Sequence, residues 1–169
     1  MAGVRPPLQL TPQTDDLVFA EQWMKDYGLA PVGVEGVVAK GAGDPYGPDQ
    51  RGWVKVKIRD TADALIGAVV GSLDRPTRLV LGRLVEGQLR IVGSTHELRP
   101  AHQVEVAALL VAADKHPWPA ELTLSWGTRE RTPIVRVEPT ITVEVLADQA
   151  IDAGRWRHTT RFVRTRLDL

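Results

Sequence analysis

The stretch from Ala64 to Thr95 constrains the fold of this chain more than any other. It reads ALIGAVVGS, then TRLVLGRLV, then Glu86-Gly87, then QLRIVGST. Three runs rich in Val, Ile and Leu, separated by turn residues, are expected to be three successive strands of an antiparallel meander. Pro100 to Ala113, PAHQVEVAALLVAA, then places Val104, Ala108 and Val111 on one side of a helix. After it PIVRV, TITVEVLA and an Arg-rich segment beyond Gly154 read as further strands.

Three strands, a helix and then more strands is the order of an OB-type barrel, a small closed sheet that commonly binds nucleic acid on one face. The N-terminal part is organised differently. Thr14 to Gly28, TDDLVFAEQWMKDYG, begins with capping and acidic residues, carries Leu17, Ala20, Trp23 and Met24 near helical spacing and stops at a glycine. Val34 to Lys40 and Trp53 to Ile58 read as two strands joined by a loop rich in Gly, Pro and Asp. The expected fold class is mainly β with two helices. Residues 1–60 form a smaller N-terminal part and residues 62–169 the barrel. A two-stranded ribbon is marginal by itself, so Leu17, Trp23, Val37, Val38 and Val54 call for cover.

Composition narrows the chemistry. With 43% apolar and 25% charged residues the chain is expected to fold as an ordinary globular protein. It has no cysteine, which excludes disulfide frameworks, thiolate zinc sites and cysteine nucleophiles. The start, MAGVRPPLQLTPQTDD, lacks the apolar core of a signal peptide, and VAALLVAA at 106–113 is too short to span a bilayer. A cytoplasmic location without membrane association is the expectation. Formal net charge is zero, so no global field favours a nucleic-acid partner. Local charge does: Arg155, Arg157, Arg161, Arg164 and Arg166 crowd the C-terminus beside Asp168. They suit phosphate contact or a solvated basic edge alike.

In the N-terminal strands, alternation puts Glu35 with Val37 on one face, and Lys55 with Lys57 on one face. Two ammonium groups about 7 Å apart at their Cα atoms can grip phosphate from one side. A carboxylate opposite them can hold a divalent metal, and Gly36 would let a ligand approach the backbone. The same spacing also describes a solvated strand edge. The four histidines show no metal-ligand spacing. Ser94-Thr95-His96-Glu97 reads as a turn after a strand, because neighbours on a strand point apart. Trp118, Trp126 and Trp156 read as core residues, with base stacking as the alternative.

EGVVAK at 35–40 followed by DPYGPDQRGWVKVK at 44–57 resembles two consecutive motifs of the ATP-dependent DNA ligases, members of the covalent nucleotidyltransferase superfamily. RPTRLVLGRLVEGQLRIVGSTHEL resembles the first strands of the ligase OB domain, HPWP with the later VEP and VEV its middle, and RWRHTTRFVRTRLDL the closing motif of the short bacterial enzymes. The resemblance runs from Thr11 to Leu169. It implies the end of an adenylation domain followed by an OB-fold barrel.

It further implies DNA nick sealing in repair and recombination. A lysine attacks the α-phosphate of ATP, AMP passes to the 5′-phosphate of a nick, and the 3′-hydroxyl then displaces AMP. By resemblance Glu35 places Mg2+ and the adenylate, and Lys55 and Lys57 contact the α-phosphate as charge builds. Lys40 lies near the same pocket. Arg164, Arg166 and Asp168 meet pyrophosphate or DNA, and Arg155, Arg157 and Arg161 bind DNA.

Two departures qualify the resemblance. The family motif ends in Lys after the Asp, whereas this chain ends in Leu169. The nucleophile's Lys-x-Asp-Gly motif is missing, for the lysines are Lys25, Lys40, Lys55, Lys57 and Lys115, and Lys25-Asp26-Tyr27-Gly28 has its Asp one place early. Catalysis by this chain alone is therefore not expected. The expected partners are nicked or single-stranded DNA and a separate chain carrying the N-terminal adenylation half, with ATP as cofactor. The alternative is a stand-alone OB-fold nucleic-acid-binding protein derived from a ligase.

Overall fold

A computed structural model describes residues 11–28, 36–45, 52–124, 129–148 and 151–166. The chain divides into two compact units, Met1–Ile58 and Arg59–Leu169.

The first unit contains helix α1 (Leu17–Gly28) and strands β1 (Gly36–Ala39) and β2 (Val54–Lys57). The helix begins later than Thr14 because the polar residues serve as its entrance. Asp16 is the cap: its Oδ1 accepts the Val18 N–H at 2.8 Å, and its carbonyl accepts the Ala20 N–H at 3.1 Å. Thr14 Oγ1 in turn accepts the Asp16 N–H. β1 and β2 pair antiparallel, with Gly36 opposite Lys57, Val37 opposite Val56, Val38 opposite Lys55 and Ala39 opposite Val54. Of the residues that called for cover, Trp23 and Val37 are half-buried and the other three are exposed. Leu17 is 72%, Val38 46% and Val54 60% exposed, and Val18, Phe19 and Val56 are exposed beside them.

The second unit is the closed sheet. Its main strands are β3 (Arg59–Gly71), β4 (Pro76–Val85), β5 (Gln88–Ser94), β9 (Thr142–Asp148) and β12 (Arg161–Arg166), laterally ordered β12-β9-β3-β4-β5. Between β5 and β9 lie helix α2 (Pro100–Ala107) and the two-residue strands β6 (Glu121–Leu122), β7 (Thr132–Pro133) and β8 (Val135–Arg136). A short hairpin, β10 (Ile151–Asp152) with β11 (Arg155–Trp156), precedes β12. The first barrel strand starts at Arg59, ahead of the sequence expectation at Ala64. The added residues pair with β9, from Arg59 opposite Asp148 to Leu65 opposite Thr142. The helix stops at Ala107 rather than Ala113, and the Arg-rich segment is two strands rather than one.

Closure comes from a parallel bridge between Thr95 and Thr160. The His96 N–H donates to the Thr160 carbonyl at 2.8 Å, and the Thr160 N–H to the Ser94 carbonyl at 2.9 Å. Thr95 Oγ1 also accepts the Leu79 N–H, and both threonines are buried. Ser94 Oγ accepts from Arg78. The Ser-Thr-His-Glu run is thus the seam of the barrel. At the β4–β5 turn Glu86 and Gly87 have φ of 51° and 74°, the twist-matching conformation of a two-residue hairpin.

Of the sheet's four register shifts among the described residues, two, one on β3 and one on β12, bear most on which side chains face inward. An extra residue, Gly67, lies between the pairs Ile66–Leu81 and Ala68–Val80, and reverses the alternation there. Ala64, Ile66 and Val69 enter the main core with Leu79, Leu81, Val92, Val106, Val143, Val145, Trp156 and Phe162. Leu65, Ala68 and Val70 go to the opposite face, where Val80, Leu89, Ile134 and Trp118 form a second cluster. Trp118 is the lid of that cluster, and its Nε1 donates to the Leu89 carbonyl at 2.9 Å. A Cβ on Gly82 would lie 2.9 Å from its ring, and one on Gly67 would overlap the ring outright. Trp156 packs over Gly93 inside the barrel. Both tryptophans are therefore core residues, while Trp126 lies outside the described residues. The second bulge, Val163, falls between Phe162–Val145 and Arg164–Glu144.

Candidate functional site

Directly opposite residues on an antiparallel pair share a face. The β1–β2 register accordingly gathers Lys55, Lys57, Val38 and Gly36 on one side of the ribbon, and Val37, Val56, Ala39 and Val54 on the other. Lys55 is exposed and Lys57 half-buried. Glu35, which the sequence reading pairs with Val37, lies outside the described residues. Gly36 has a reason of its own. A side chain there would run into the Val56 carbonyl and come within 2.8 Å of the Lys57 Cα, so the missing Cβ admits the partner strand rather than a ligand.

Lys40 follows β1, and its ammonium sits 3.8 Å from the Trp53 ring centroid. That cation–π contact fixes the lysine head on the residue that precedes β2. The three lysines of the motifs are thus brought into one hairpin, Lys40 at its loop end and Lys55 and Lys57 along one face. Among the described residues no group of three His, Cys, Asp or Glu is placed to hold a metal ion.

In the barrel unit the C-terminal arginines do not form one row. Arg155 stands opposite Asp152 in the β10–β11 hairpin, and Arg157 is exposed after it. Arg161 is exposed at the start of β12. The Val163 bulge turns Arg164 to the outer face, where its Nε donates to Glu144 Oε2 at 2.6 Å. Arg166 Nη1 reaches Asp63 Oδ1 at 3.3 Å. Asp63 and Glu144 are themselves cross-strand partners, so the two arginines neutralise a carboxylate pair. The hydrogen bond from Arg164 is the largest influence holding the Glu144 carboxyl below its usual range; desolvation opposes it, and the charges of Arg164 and Arg166 and a bond from Thr61 assist. Asp168 lies outside the described residues.

The histidines have structural partners. His102 packs on Phe162, His158 lies 3.3 Å from Asp148, and His96 meets the Thr159 hydroxyl. His116 Nδ1 accepts the Trp118 N–H at 3.2 Å, which leaves the proton on Nε2. Burial first, and Arg136 second, lower its pKa and keep the ring neutral. One pair of cations was not singled out from sequence. Arg83 and Arg90 face each other directly across the β4–β5 hairpin. The only available signal was their equal distance from the Glu86-Gly87 turn.

Among the described residues no helix is long and apolar enough to cross a membrane. No protein-family model matches the chain. It is 30% identical to DNA ligase C of Mycobacterium tuberculosis across 95% of its own length and 50% of that protein. It is 31% identical to DNA ligase C2 of Mycolicibacterium smegmatis across 99% of its length and 53% of that protein. The chain therefore spans about half the length of the curated relatives it matches. Among solved structures, the ligase domain of M. tuberculosis LigD superposes with a TM-score of 0.52 at 26% identity, covering 80% of this chain and 44% of that one. A mycobacterial DNA ligase D complexed with ATP and MES gives a TM-score of 0.51 at the same identity.

Proposed function

The chain is homologous to the mycobacterial DNA ligases over about half of their length, and from that premise we propose that it supplies the phosphate-gripping ribbon and the DNA-binding barrel of an ATP-dependent nick-sealing ligase. The observation that carries the proposal is the register of the ribbon, with Lys55 and Lys57 on one face of β2. Two ammonium groups held on one side oppose the negative charge that builds on an α-phosphate during nucleotidyl transfer. Lys40, stacked on Trp53, adds a third positive group at the ribbon's end. Glu35 would be the carboxylate that holds Mg2+ and places the adenylate, the ion offsetting phosphate charge when bound.

No lysine of this sequence lies in a Lys-x-Asp-Gly motif, so the attacking amine belongs to a different polypeptide segment. The exposed Leu17, Val18, Phe19, Val38 and Val54 are the surface such a segment would cover. Arg155, Arg157 and Arg161 serve DNA. Arg164, Arg166 and Asp168 serve pyrophosphate or DNA, which requires Arg164 and Arg166 to exchange Glu144 and Asp63 for phosphate.

The test is complementation. Mixed with the Lys-x-Asp-Gly half of DNA ligase C, ATP and nicked duplex, this chain is expected to restore sealing, and Lys55→Ala or Lys57→Ala to lose it. Sealing unaffected by both substitutions would refute the role of the ribbon. A second reading, a stand-alone DNA-binding barrel, is favoured by the closed sheet with its own core. Under it, alanine at Arg164 and Arg166 weakens DNA binding and no mixture seals.

A further inference from the structure

The β4–β5 hairpin sets Arg83 directly opposite Arg90. Like charges at such positions destabilise a sheet. In the same sheet Arg164 is paired with Glu144 and Arg166 with Asp63, while Arg78 and Arg136 donate to backbone carbonyls. Among the described residues no carboxylate pairs with Arg83 or Arg90. Among the described residues the Arg90 side chain makes one polar contact, Nη2 to Gln88 Oε1 at 3.5 Å, the outer limit of a hydrogen bond.

Arg83 is held in place without being neutralised. Its Nε donates to the Asp63 carbonyl at 3.3 Å, and its guanidinium carbon lies 5.1 Å from the Trp156 ring centroid. Trp156 is 8% exposed, so the ring is a fixed platform. One N–H and one face of the guanidinium are thereby used, while the terminal nitrogens remain unpaired. Packing of the hairpin rests on Leu89 and Ile91, either side of Arg90, the first buried and the second half-buried against the Trp118 cluster. The juxtaposition of the two positive charges is a local cost to the hairpin.

We propose that Arg83 and Arg90 form a two-arginine clamp for the phosphate backbone of DNA. The inference rests on the DNA-binding reading above and adds a site outside the C-terminal arginine cluster. Cross-strand Cβ atoms about 5 Å apart let both planar forks converge on one phosphate or on two neighbours. The hairpin is also where the sheet is accessible. Arg83 and Arg90 alternate with Gly82, Leu89 and Ile91, so they lie on the face away from Trp118 and toward Trp156, and both are exposed.

The experiment measures binding of the full chain to a labelled nicked duplex and to a matching single strand, across a salt series, with thermal unfolding of each variant. Arg90→Glu turns the like-charge pair into an opposite-charge pair. It is expected to keep or raise Tm while weakening duplex binding on the order of tenfold and reducing the salt slope by about 1 to 2. Arg131→Glu makes the same charge change at an exposed site beside β7 and is expected to have a smaller effect on both. Equal losses in the two variants would reduce the clamp to general charge, and a lowered Tm in Arg90→Glu would make the pair structural. Either result overturns the proposal while leaving DNA binding intact. A wild-type chain that binds neither DNA at low salt overturns the DNA-binding reading itself, and the clamp with it.

Discussion

Replacing Gly67 with alanine tests the claim that a tryptophan lid sets the geometry of the barrel's outer face. Gly67 is the bulged residue of β3, and its φ is not in the left-handed region, so alanine carries no backbone penalty there. The penalty is packing. A Cβ at this position stands 2.5 Å from Trp118 Cζ3 and 3.0 Å from Cζ2, roughly 1 Å inside ordinary contact. The ring cannot slide away without lengthening its 2.9 Å hydrogen bond to the Leu89 carbonyl. Overpacking costs about 1–3 kcal/mol, and a weakened buried hydrogen bond about 1 kcal/mol more. Restriction of the unfolded chain returns about 0.4–1 kcal/mol. The net expectation is about 2–3 kcal/mol of destabilisation, or a fall of about 10 °C in Tm for a unit of this size. Urea and thermal unfolding followed by circular dichroism measure it. In a Trp118→Leu background the obstacle is gone, and Gly67→Ala is expected to cost less than about 0.5 kcal/mol. An equal cost in both backgrounds would refute the reasoning, because the strain would then not lie between these two residues.

Two further perturbations probe the sheet. Glu144→Gln is expected to flatten the acid limb of the stability profile. The folded carboxyl binds its proton more weakly than the unfolded one, so its contribution is complete above the ordinary value near 4.5 and is lost as pH falls through the lowered folded value. Urea titrations from pH 6 down to pH 3 that show the same slope for variant and wild type would contradict this. Glu86→Asn replaces an L-residue held at φ 51° with one that tolerates that region. It is expected to stabilise the hairpin by about 0.5–1 kcal/mol, and a lowered unfolding midpoint would count against the turn assignment.

Legibility followed the range of the interactions. The Glu86-Gly87 turn, the meander around it and the shared face of Lys55 and Lys57 were readable because each depends on neighbours in the chain. The end of α2 at Ala107 was less so, since VAALLVAA continues a helical pattern past the point where the structure leaves it. Gly36 showed the same limit from the other side. Its place in EGVVAK suggested room for a ligand, but the close approach is made by the backbone of β2. The C-terminal arginines were counted correctly as a local cluster, yet their partners Asp63 and Glu144 come from distant strands.

What the sequence determined by itself was the class of the fold, its order of elements and the places where its basic residues cluster, because turn chemistry, period-2 alternation and charge are local properties of the chain. Only the tertiary structure decided the direction in which those residues point. One extra residue at Gly67 and another at Val163 reverse the alternation along β3 and β12, and a one-residue change of register exchanges the two faces of a strand. Pairing across the sheet therefore turned Arg164 and Arg166 toward carboxylates, set Arg83 against Arg90 and joined Thr95 to Thr160 to close the barrel.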